Sequence, residues 1–491
     1  MQAAEKPATL SAASDARPAA SSRELGLWDA VSIIVGIVIG AGIYETAPLV
    51  LANVSSPATA LLAWGLGGVL SLIGACCYAE LASAYPRSGG DYVYLTRAFG
   101  RPVGFLFAWA QLAMLMTGSI GMMAYVFSDY AVAGLGLGAG ASSPLAALAV
   151  IALTLLNVIS VTVGKTAQNA LSWLKVIGLG AVVVVGFLFS QPAAPRAAEG
   201  TAAGSFSLAM ILVLYTYGGW NDAAFVAAEV RDRQKNLPRA LLLGTLLITL
   251  IYLLVNAAFM AGLGFENART SQAIATDVLS APLGRLGGFL ISVLVMISAL
   301  GAANALIFTG SRVHASLGSD YGALSALGGW HARLGSPVGA LLAQLLVTLG
   351  LIAAVGTGPG RATVDWLLTT AGLAPAQWSG HGGFDTLLRC SAPVFWAFFL
   401  LTALSLFVLR LREPDRARPF RVPLYPVLPL VFAGTCLYML YSAVEYAGGL
   451  ALIGLLPVLL GLPVYFASRR RPAAPMRGRA ASDSEFPNKE F

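Results

Sequence analysis

Charged side chains are scarce in this sequence. Asp, Glu, Lys and Arg together make up 11% of its 491 residues, whereas an ordinary soluble domain has about 25%. Hydrophobic residues account for 57% of the chain, and its mean hydropathy is +0.76. A chain with so few charges cannot cover its apolar surface in water. The composition therefore excludes a soluble globular domain and indicates a protein embedded in lipid.

Histidine and cysteine are also rare, with three and four residues respectively. None of them shows the CxxC or Cys/His spacing of a metal site, and the HExxH, P-loop and GxSxG motifs are absent. These absences argue against a membrane-embedded enzyme, and we expect neither a metal nor another cofactor. The net charge of +7 does not indicate nucleic-acid binding, because most of the basic residues fall in short loops, where they set membrane topology.

Long unbroken apolar runs, such as 177–189, favour helices. Only helices and closed barrels satisfy the backbone in lipid, and a barrel strand would alternate in hydropathy over roughly 10 residues. Because a helix needs about 20 apolar residues to cross a bilayer, the sequence predicts an all-α membrane protein with twelve transmembrane helices. The predicted segments are 28–51, 59–84, 100–131, 144–163, 167–190, 206–229, 238–264, 285–313, 335–356, 391–411, 424–445 and 449–467.

The distribution of Lys and Arg orients these segments. With the N-terminus in the cytoplasm, 24 of the 30 basic residues face the cytoplasm, 5 face outside and Lys175 lies within a helix. Positive charge accumulates on the cytoplasmic side, so both termini are predicted to be cytoplasmic. The chain then divides into a disordered N-terminal tail (1–23), a twelve-helix domain (24–468) and a C-terminal tail (469–491). The long outside loop, about 357–390, is predicted to be ordered, with a short surface helix or a lid as alternatives.

Two predicted helices contain clustered glycines at mid-length. The first holds Gly36, Gly40 and Gly42, and the sixth holds Gly218 and Gly219. Each glycine weakens a helix by roughly 1 kcal/mol relative to Ala, and backbone groups freed in lipid need other partners. Close packing through small residues explains each cluster singly. Their joint position, five helices apart, favours an inverted five-plus-five repeat with broken helices one and six around a binding site.

Such a site suits a zwitterionic amino acid. Free backbone N–H groups near Ala41 and Gly42 would bind the substrate carboxylate, since the start of a half-helix binds anions. Carbonyl groups near Val38, and near Tyr215 and Gly218, would bind the substrate ammonium. The glycine clusters thus predict an amino acid site between helices one and six.

Longer motifs follow one another along nearly the whole chain. They are IIVGIVIGAGI (33–43), YAELASAYPRSGGDYVYL (78–95), YGGWNDAAFVAAEVRDRQKNLPRA (217–240), GAANALIFTGSR (301–312), RPFRVP (418–423) and GLPVYF (461–466). Over about 24–468 the sequence resembles the amino acid–polyamine–organocation superfamily, and most closely its L-type amino acid transporter branch. The resemblance implies a leucine-transporter-like fold of twelve helices and alternating access around helices one and six.

Site residues follow from this resemblance by matching position. The implied substrate contacts are Val38, Gly40, Ala41 and Gly42 in helix one, and Tyr215 and Gly218 in helix six. Tyr215 stands in the place of an aromatic gate. The family often has Ser where Ala41 stands, so a side-chain hydroxyl contact would be lost while backbone contacts would survive. Asn304 matches an Asn of helix eight that supports the site.

Lys175 lies deep in an apolar helix, where a charge is costly and a functional role is the default hypothesis. The alternative is snorkelling of its long side chain to an interface. The resemblance implies that a Lys at this point of helix five substitutes for a sodium ion and holds helices one, five and eight together. A buried Lys could also carry a proton.

Other polar residues within the predicted helices have open roles. Asp222 directly follows the break of helix six and would contact a substrate ammonium, relay a proton or face the outer vestibule; Glu45 is a weaker candidate of the same kind. Gln111 stands where a relative has a carboxylate, so a proton role there is doubtful. Glu80 and Glu229 lie at cytoplasmic helix ends, where they would form an inner gate with loop arginines or structural salt bridges.

The resemblance also bears on partners and function. Animal members bind a glycoprotein through a Cys between helices three and four, but the loop at about 131–144 has no Cys, so no disulfide-linked partner is expected. High Ala and Gly content suggests a bacterial inner-membrane protein. The leading hypothesis is a sodium-independent amino acid exchanger or facilitator; a proton-coupled symporter is the alternative, and an amine or polyamine transporter or a nutrient sensor is less favoured. The choice of amino acid stays open.

Overall fold

A computed structural model describes residues 25–468, apart from 41, 88, 191–204, 272, 371, 377 and 379–381. Both predicted tails lie outside the described residues. The described chain is helical, with one isolated bridge between Leu25 and Val230. In chain order its α-helices are α1 (Leu27–Val38), α2 (Gly42–Ala52), α3 (Pro57–Ala84), α4 (Asp91–Phe99), α5 (Arg101–Ala110), α6 (Met116–Leu135), α7 (Ser142–Ile159), α8 (Val161–Leu188), α9 (Phe206–Thr216), α10 (Arg233–Leu263), α11 (Phe265–Thr270), α12 (Ile274–Leu283), α13 (Arg285–Asp320), α14 (Ser325–Gly328), α15 (Val338–Gly356), α16 (Gly358–Thr370), α17 (Gly383–Arg412), α18 (Val427–Ala447), α19 (Leu450–Leu459) and α20 (Gly461–Ser468).

Ten helices of the described chain are long and apolar enough to cross a membrane. A helix forms its backbone hydrogen bonds within itself, as lipid requires. Two of the ten are composite: α5 and α6 join through a π-helical turn at Gln111–Leu115, and α19 continues into α20. The pair α1 and α2, bent by 53°, adds an eleventh candidate. The predicted all-α membrane architecture is confirmed, and the count of twelve spans remains a prediction.

The sixth predicted segment, 206–229, is interrupted. Helix α9 ends at Thr216, and a 3-10 helix runs over Trp220–Glu229. Neither piece alone is long enough to span the bilayer, because a 10- or 11-residue helix covers only about half of it. A break therefore lies where the glycine pair predicts one.

The region 357–390 contains more helix than the sequence predicts. Helix α16 occupies its first third, and α17 begins at Gly383 and not at about 391. The early turns of α17 are stabilised by charge: Arg389 donates to Asp385 at 2.9 Å and stacks over the Tyr446 ring at 4.0 Å. An apolar pattern could not mark this extension, because the residues that stabilise it are polar.

Helix α1 lies in the middle of the bundle, packed against α8, α10 and α13. Glycines permit the close crossings. A Cβ atom added to Gly36 would lie 1.8 Å from Nε2 of Gln168 in α8, and one added to Gly244 of α10 would lie 2.9 Å from Cγ2 of Ile34. Small residues bring membrane helices together in this way. The end of α1 is thereby placed at the centre of the protein, against the interrupted sixth segment.

Candidate functional site

The break of the first segment lies between Val38, the last residue of α1, and Gly42, the first residue of α2. Ala41 lies outside the described residues, so its contact remains a prediction. The Val38 carbonyl accepts hydrogen bonds from the Tyr252 hydroxyl and from the Gly40 N–H, both at 2.8 Å. These two donors use both acceptor positions of that carbonyl. A substrate ammonium near Val38 would therefore need a neighbouring carbonyl.

The break of the sixth segment depends on Gly219. Its φ is +107°, a backbone conformation that residues other than glycine rarely adopt. A Cβ atom here would also lie 2.5 Å from Cγ2 of Ile37 in α1. The next residue, Trp220, is buried and packs edge-on against Tyr78, with ring centroids 5.2 Å apart. Gly219 thus lets the chain turn out of α9 while touching α1, and Trp220 holds the turn in place.

The two breaks line one cavity of about 160 Å³. This volume is well above the roughly 10–15 Å³ that a single water needs, so the cavity has room for a small molecule. Six of the residues singled out in the sequence line it together: Val38, Gly40, Gly42, Tyr215, Gly218 and Asp222. Three others, Asn304, Lys175 and Gln111, lie outside its lining. Along the described chain, no hydrogen bond to the Gly218 carbonyl is formed by the protein.

Lys175 is fully buried, so the snorkelling interpretation is wrong. Its ammonium donates to the Gly36 carbonyl at 2.6 Å and to the Ile39 carbonyl at 2.9 Å. It also packs against Gly301 of α13, where an added Cβ would lie 3.0 Å from Nζ. The carbonyls at the end of a helix carry partial negative charge. Lys175 therefore places a positive charge where α1 ends and joins α1, α8 and α13.

Asn304 belongs to a chain of buried side chains behind the cavity. It accepts a hydrogen bond from Asn157 at 2.8 Å and donates to Gln168 Oε1 at 3.0 Å. Gln168 donates to Ser172 at 3.1 Å, and Ser172 donates to the Ser32 carbonyl at 3.0 Å. These bonds link α13, α7 and α8 to α1. Asn304 can support the site through this chain, although it does not line the cavity.

Gln111 and Asp222 differ in their relation to the cavity. Gln111 is the first residue of the π-helical turn and is buried away from the cavity, whereas Leu115, the last residue of that turn, lines it. Asp222 faces the cavity itself and accepts a hydrogen bond from Asn221 Nδ2 at 3.0 Å. Among the described residues that line the cavity, Asp222 alone carries a carboxylate.

Comparison with known proteins identifies the family of this chain. Residues 25–458 match the profile of the amino acid permease family. The chain belongs to that family. The permease is 29% identical to the mouse b(0,+)-type amino acid transporter 1 over 90% of its own length and 87% of the relative's. It is 28% identical to the serine/threonine exchanger SteT of Bacillus subtilis (92% and 98%) and 30% identical to the mouse large neutral amino acids transporter small subunit 2 (91% and 81%). These relatives confirm the predicted superfamily and its L-type branch.

Ion pairs lie at the helix ends that the topology prediction places in the cytoplasm. Arg312 donates to both carboxylate oxygens of Glu229, at 2.8 and 3.1 Å, and this pair is buried. Glu80 accepts from Arg410 at 2.8 and 2.5 Å, and Arg418 lies 3.4 Å from it. Both acidic residues thus pair with arginines, but Arg312 and Arg410 lie in α13 and α17, and only Arg418 belongs to a loop as the prediction had it. An inner gate and a purely structural role remain alternatives.

Part of the cavity wall could not be inferred from the sequence. Helix α17 contributes Phe384, Ser391, Phe395 and Trp396, and α6 contributes Met123. Within the apolar stretches of these helices, residue type does not mark the side that faces the cavity. A serine in an apolar helix, such as Ser391, is the one available signal, and its hydroxyl bonds its own helix at 2.8 Å.

Proposed function

We propose that the permease is a sodium-independent amino acid transporter, an exchanger or a facilitator, that works by alternating access. The observation that carries this proposal is the Lys175 ammonium on the Gly36 and Ile39 carbonyls. A metal cation at the end of α1 would need those same carbonyl oxygens. Lys175 already supplies a positive charge there, so transport has no need of sodium at this point.

The substrate is an α-amino acid held between the two breaks. Its carboxylate lies at the start of α2, near Gly42, where the end of a helix favours an anion. Its ammonium lies at the sixth break, near the Gly218 carbonyl, with Tyr215 as the aromatic wall. The shared cavity of these residues supports the assignment, as does the family's description as amino acid permeases.

The movement proposed is the rocking of a five-plus-five inverted repeat, with α1 and α2 as helix one and 206–229 as helix six of twelve. In this arrangement both termini are cytoplasmic and the protein lies in a bacterial inner membrane, without a disulfide-linked partner. The ion pairs of Glu80 and Glu229 would then open when the cytoplasmic side opens. The Bacillus subtilis relative is a serine/threonine exchanger by name, which supports exchange over facilitation.

The test is uptake of labelled amino acids into proteoliposomes in sodium-free buffer. Vesicles are either empty or preloaded with unlabelled amino acids, with and without an inward proton gradient, and protein-free vesicles are the control. We expect uptake that does not increase when sodium is added. A requirement for internal amino acid would identify an exchanger, and uptake into empty vesicles without a proton gradient would identify a facilitator. Uptake into empty vesicles driven only by the proton gradient would replace the proposal with proton symport. Uptake that needs sodium would contradict it.

A further inference from the structure

The cavity wall contains a buried acid without a basic partner. Asp222 is 7% exposed, and its only side-chain hydrogen bond within the described chain comes from the neutral amide of Asn221. No Lys, Arg or His of the described residues forms an ion pair with it. The nearest basic group named at the site, Lys175, is engaged by two carbonyls of α1 and does not line the cavity.

A second buried acid lies near this wall. Asp91, in the first turn of α4, is 3% exposed and close enough to Asp222 to repel it. One of the Asp91 carboxylate oxygens has no hydrogen-bond partner among the described residues, and the nearby Tyr78 and Thr402 hydroxyls are uncharged. Two buried acids therefore lie near each other, and no Lys, Arg or His of the described residues forms an ion pair with either of them.

A buried charge is stable only when it is paired or hydrogen-bonded. Asp222 differs from a structural acid in its position, because it opens onto the cavity and a molecule in the cavity can reach it. It also lies one 3-10 turn after Gly219, to whose carbonyl its own N–H donates at 3.2 Å. Asp222 is therefore close in sequence to the proposed ammonium site at Gly218. It lies in the following 3-10 turn, so it forms a separate part of the same cavity wall.

The remaining wall suits the side chain of a long cationic substrate. Phe384, Phe395 and Trp396 of α17 present aromatic rings to the same cavity, and such rings attract ammonium and guanidinium groups as well as alkyl chains. A substrate side chain with an alkyl stem and a positive group at its end would pack its stem against these rings and place its charge near Asp222.

We propose that the permease carries amino acids with a second positive charge on the side chain, and that Asp222 receives that side-chain ammonium or guanidinium. The inference rests on the proposed amino acid transport and deepens it. The substrate carboxylate and α-ammonium occupy the two breaks, and the second cation pairs with Asp222. Neutral amino acids lack this pair and are weaker substrates.

The test compares arginine, lysine and leucine in the sodium-free proteoliposome exchange assay, with the diamine cadaverine as a probe that lacks the carboxylate. We expect arginine and lysine to exchange and to outcompete leucine. Asp222→Asn should reduce the arginine-to-leucine ratio of kcat/KM by about 10-fold or more, equivalent to about 1.4 kcal/mol, because the charged partner of the substrate side chain is lost. Asp222→Glu should recover part of the ratio. Asp415→Asn, which removes an exposed acid, is the matched control and should keep the wild-type ratio.

The outcomes separate the two proposals. Exchange of leucine or serine without competition by arginine or lysine would overturn this inference and leave amino acid transport standing. An unchanged ratio in Asp222→Asn would remove Asp222 from recognition. Cadaverine transported as well as lysine would show that the carboxylate is not recognised, and it would overturn both proposals. Failure of every amino acid would do the same. The melting temperature of each purified variant identifies any loss that comes from unfolding.

Discussion

The Lys175 ammonium of α8 lies 2.6 Å from the Gly36 carbonyl oxygen of α1. A carbonyl near the end of a helix has lost its regular partner and carries partial negative charge, and the ammonium satisfies it. The same ammonium reaches the Ile39 carbonyl at 2.9 Å, beyond the last residue of α1. One side chain therefore stabilises both the end of the half-helix and the irregular backbone that follows it.

Replacement of this lysine should disable transport. In Lys175→Ala two buried carbonyls lose a charged donor, at a cost of about 1.5–3 kcal/mol, and the geometry of the break is no longer held. We expect a lower melting temperature in detergent and loss of most amino acid exchange. Lys235→Ala removes an exposed lysine and serves as the matched control. A Lys175→Ala variant with wild-type exchange would remove Lys175 from the mechanism.

The sequence allows prediction of the features that lipid penalises. A lysine deep in an apolar run and glycines at mid-helix are costly there, so Lys175, Gly40 and Gly218 stand out in the amino-acid sequence alone. Lipid does not penalise an apolar side chain on either face of a helix. For that reason the α17 wall around Phe395 could be seen only in the structure. The early start of α17 was missed for a different reason, because charged residues stabilise its first turns. Asp222 lies between these cases. The sequence shows that its carboxylate is costly in lipid, but it does not show that the carboxylate faces the cavity.

Gly219→Ala should damage the sixth break. The substitution forces a side chain into a left-handed conformation at φ +107° and sets a Cβ 2.5 Å from Ile37 Cγ2. Backbone strain of this kind costs about 1–3 kcal/mol. We expect a clear drop in melting temperature together with loss of exchange. Gly350→Ala, in α15 with no atom within 4 Å of the added Cβ, is the control and should melt at or above the wild-type temperature. Equal behaviour of the two variants would contradict the assigned role.

Gly42 should tolerate a methyl group but not a branched side chain. A Cβ atom there would make ordinary contact with Thr216 Cγ2 at 3.4 Å. The two further carbons of valine would crowd Thr216 or the start of α2, where the substrate carboxylate is proposed to bind. Gly42→Ala should therefore raise the KM for exchange only slightly, and Gly42→Val should raise it by about 10-fold or more, equivalent to about 1.4 kcal/mol. Equal KM values in both variants would place the carboxylate elsewhere.

Asp91 should make stability depend on pH. Burial raises the pKa of this carboxyl, which lies in α4 outside the predicted spans, to about 7, and the nearby Tyr78 and Thr402 hydroxyls offset only part of the effect. The folded protein then binds a proton that the unfolded chain releases near pH 4, so stability falls as pH rises from about 4 to about 7. We expect the melting temperature to fall over this range and the fall to be smaller in Asp91→Asn. Identical pH profiles for the two proteins would contradict the assignment.

The Arg312–Glu229 pair should matter far more than the exposed Arg97–Glu413 pair. Arg312 is almost wholly buried and stacks over the Phe308 ring at 3.7 Å, whereas the Arg97 side chain is 37% exposed. Loss of one partner from a buried pair leaves an uncompensated charge and costs about 3–5 kcal/mol, whereas an exposed pair contributes about 0–1 kcal/mol. Glu229→Gln should therefore lower the melting temperature strongly and Glu413→Gln only slightly. If this pair also closes the cytoplasmic gate, Glu229→Gln will increase labelling of a cysteine introduced at Leu306, on the cavity wall, by a thiol reagent added from the cytoplasmic side, and Glu413→Gln will not. Unchanged labelling, with the expected loss of stability, would assign the pair a structural role alone.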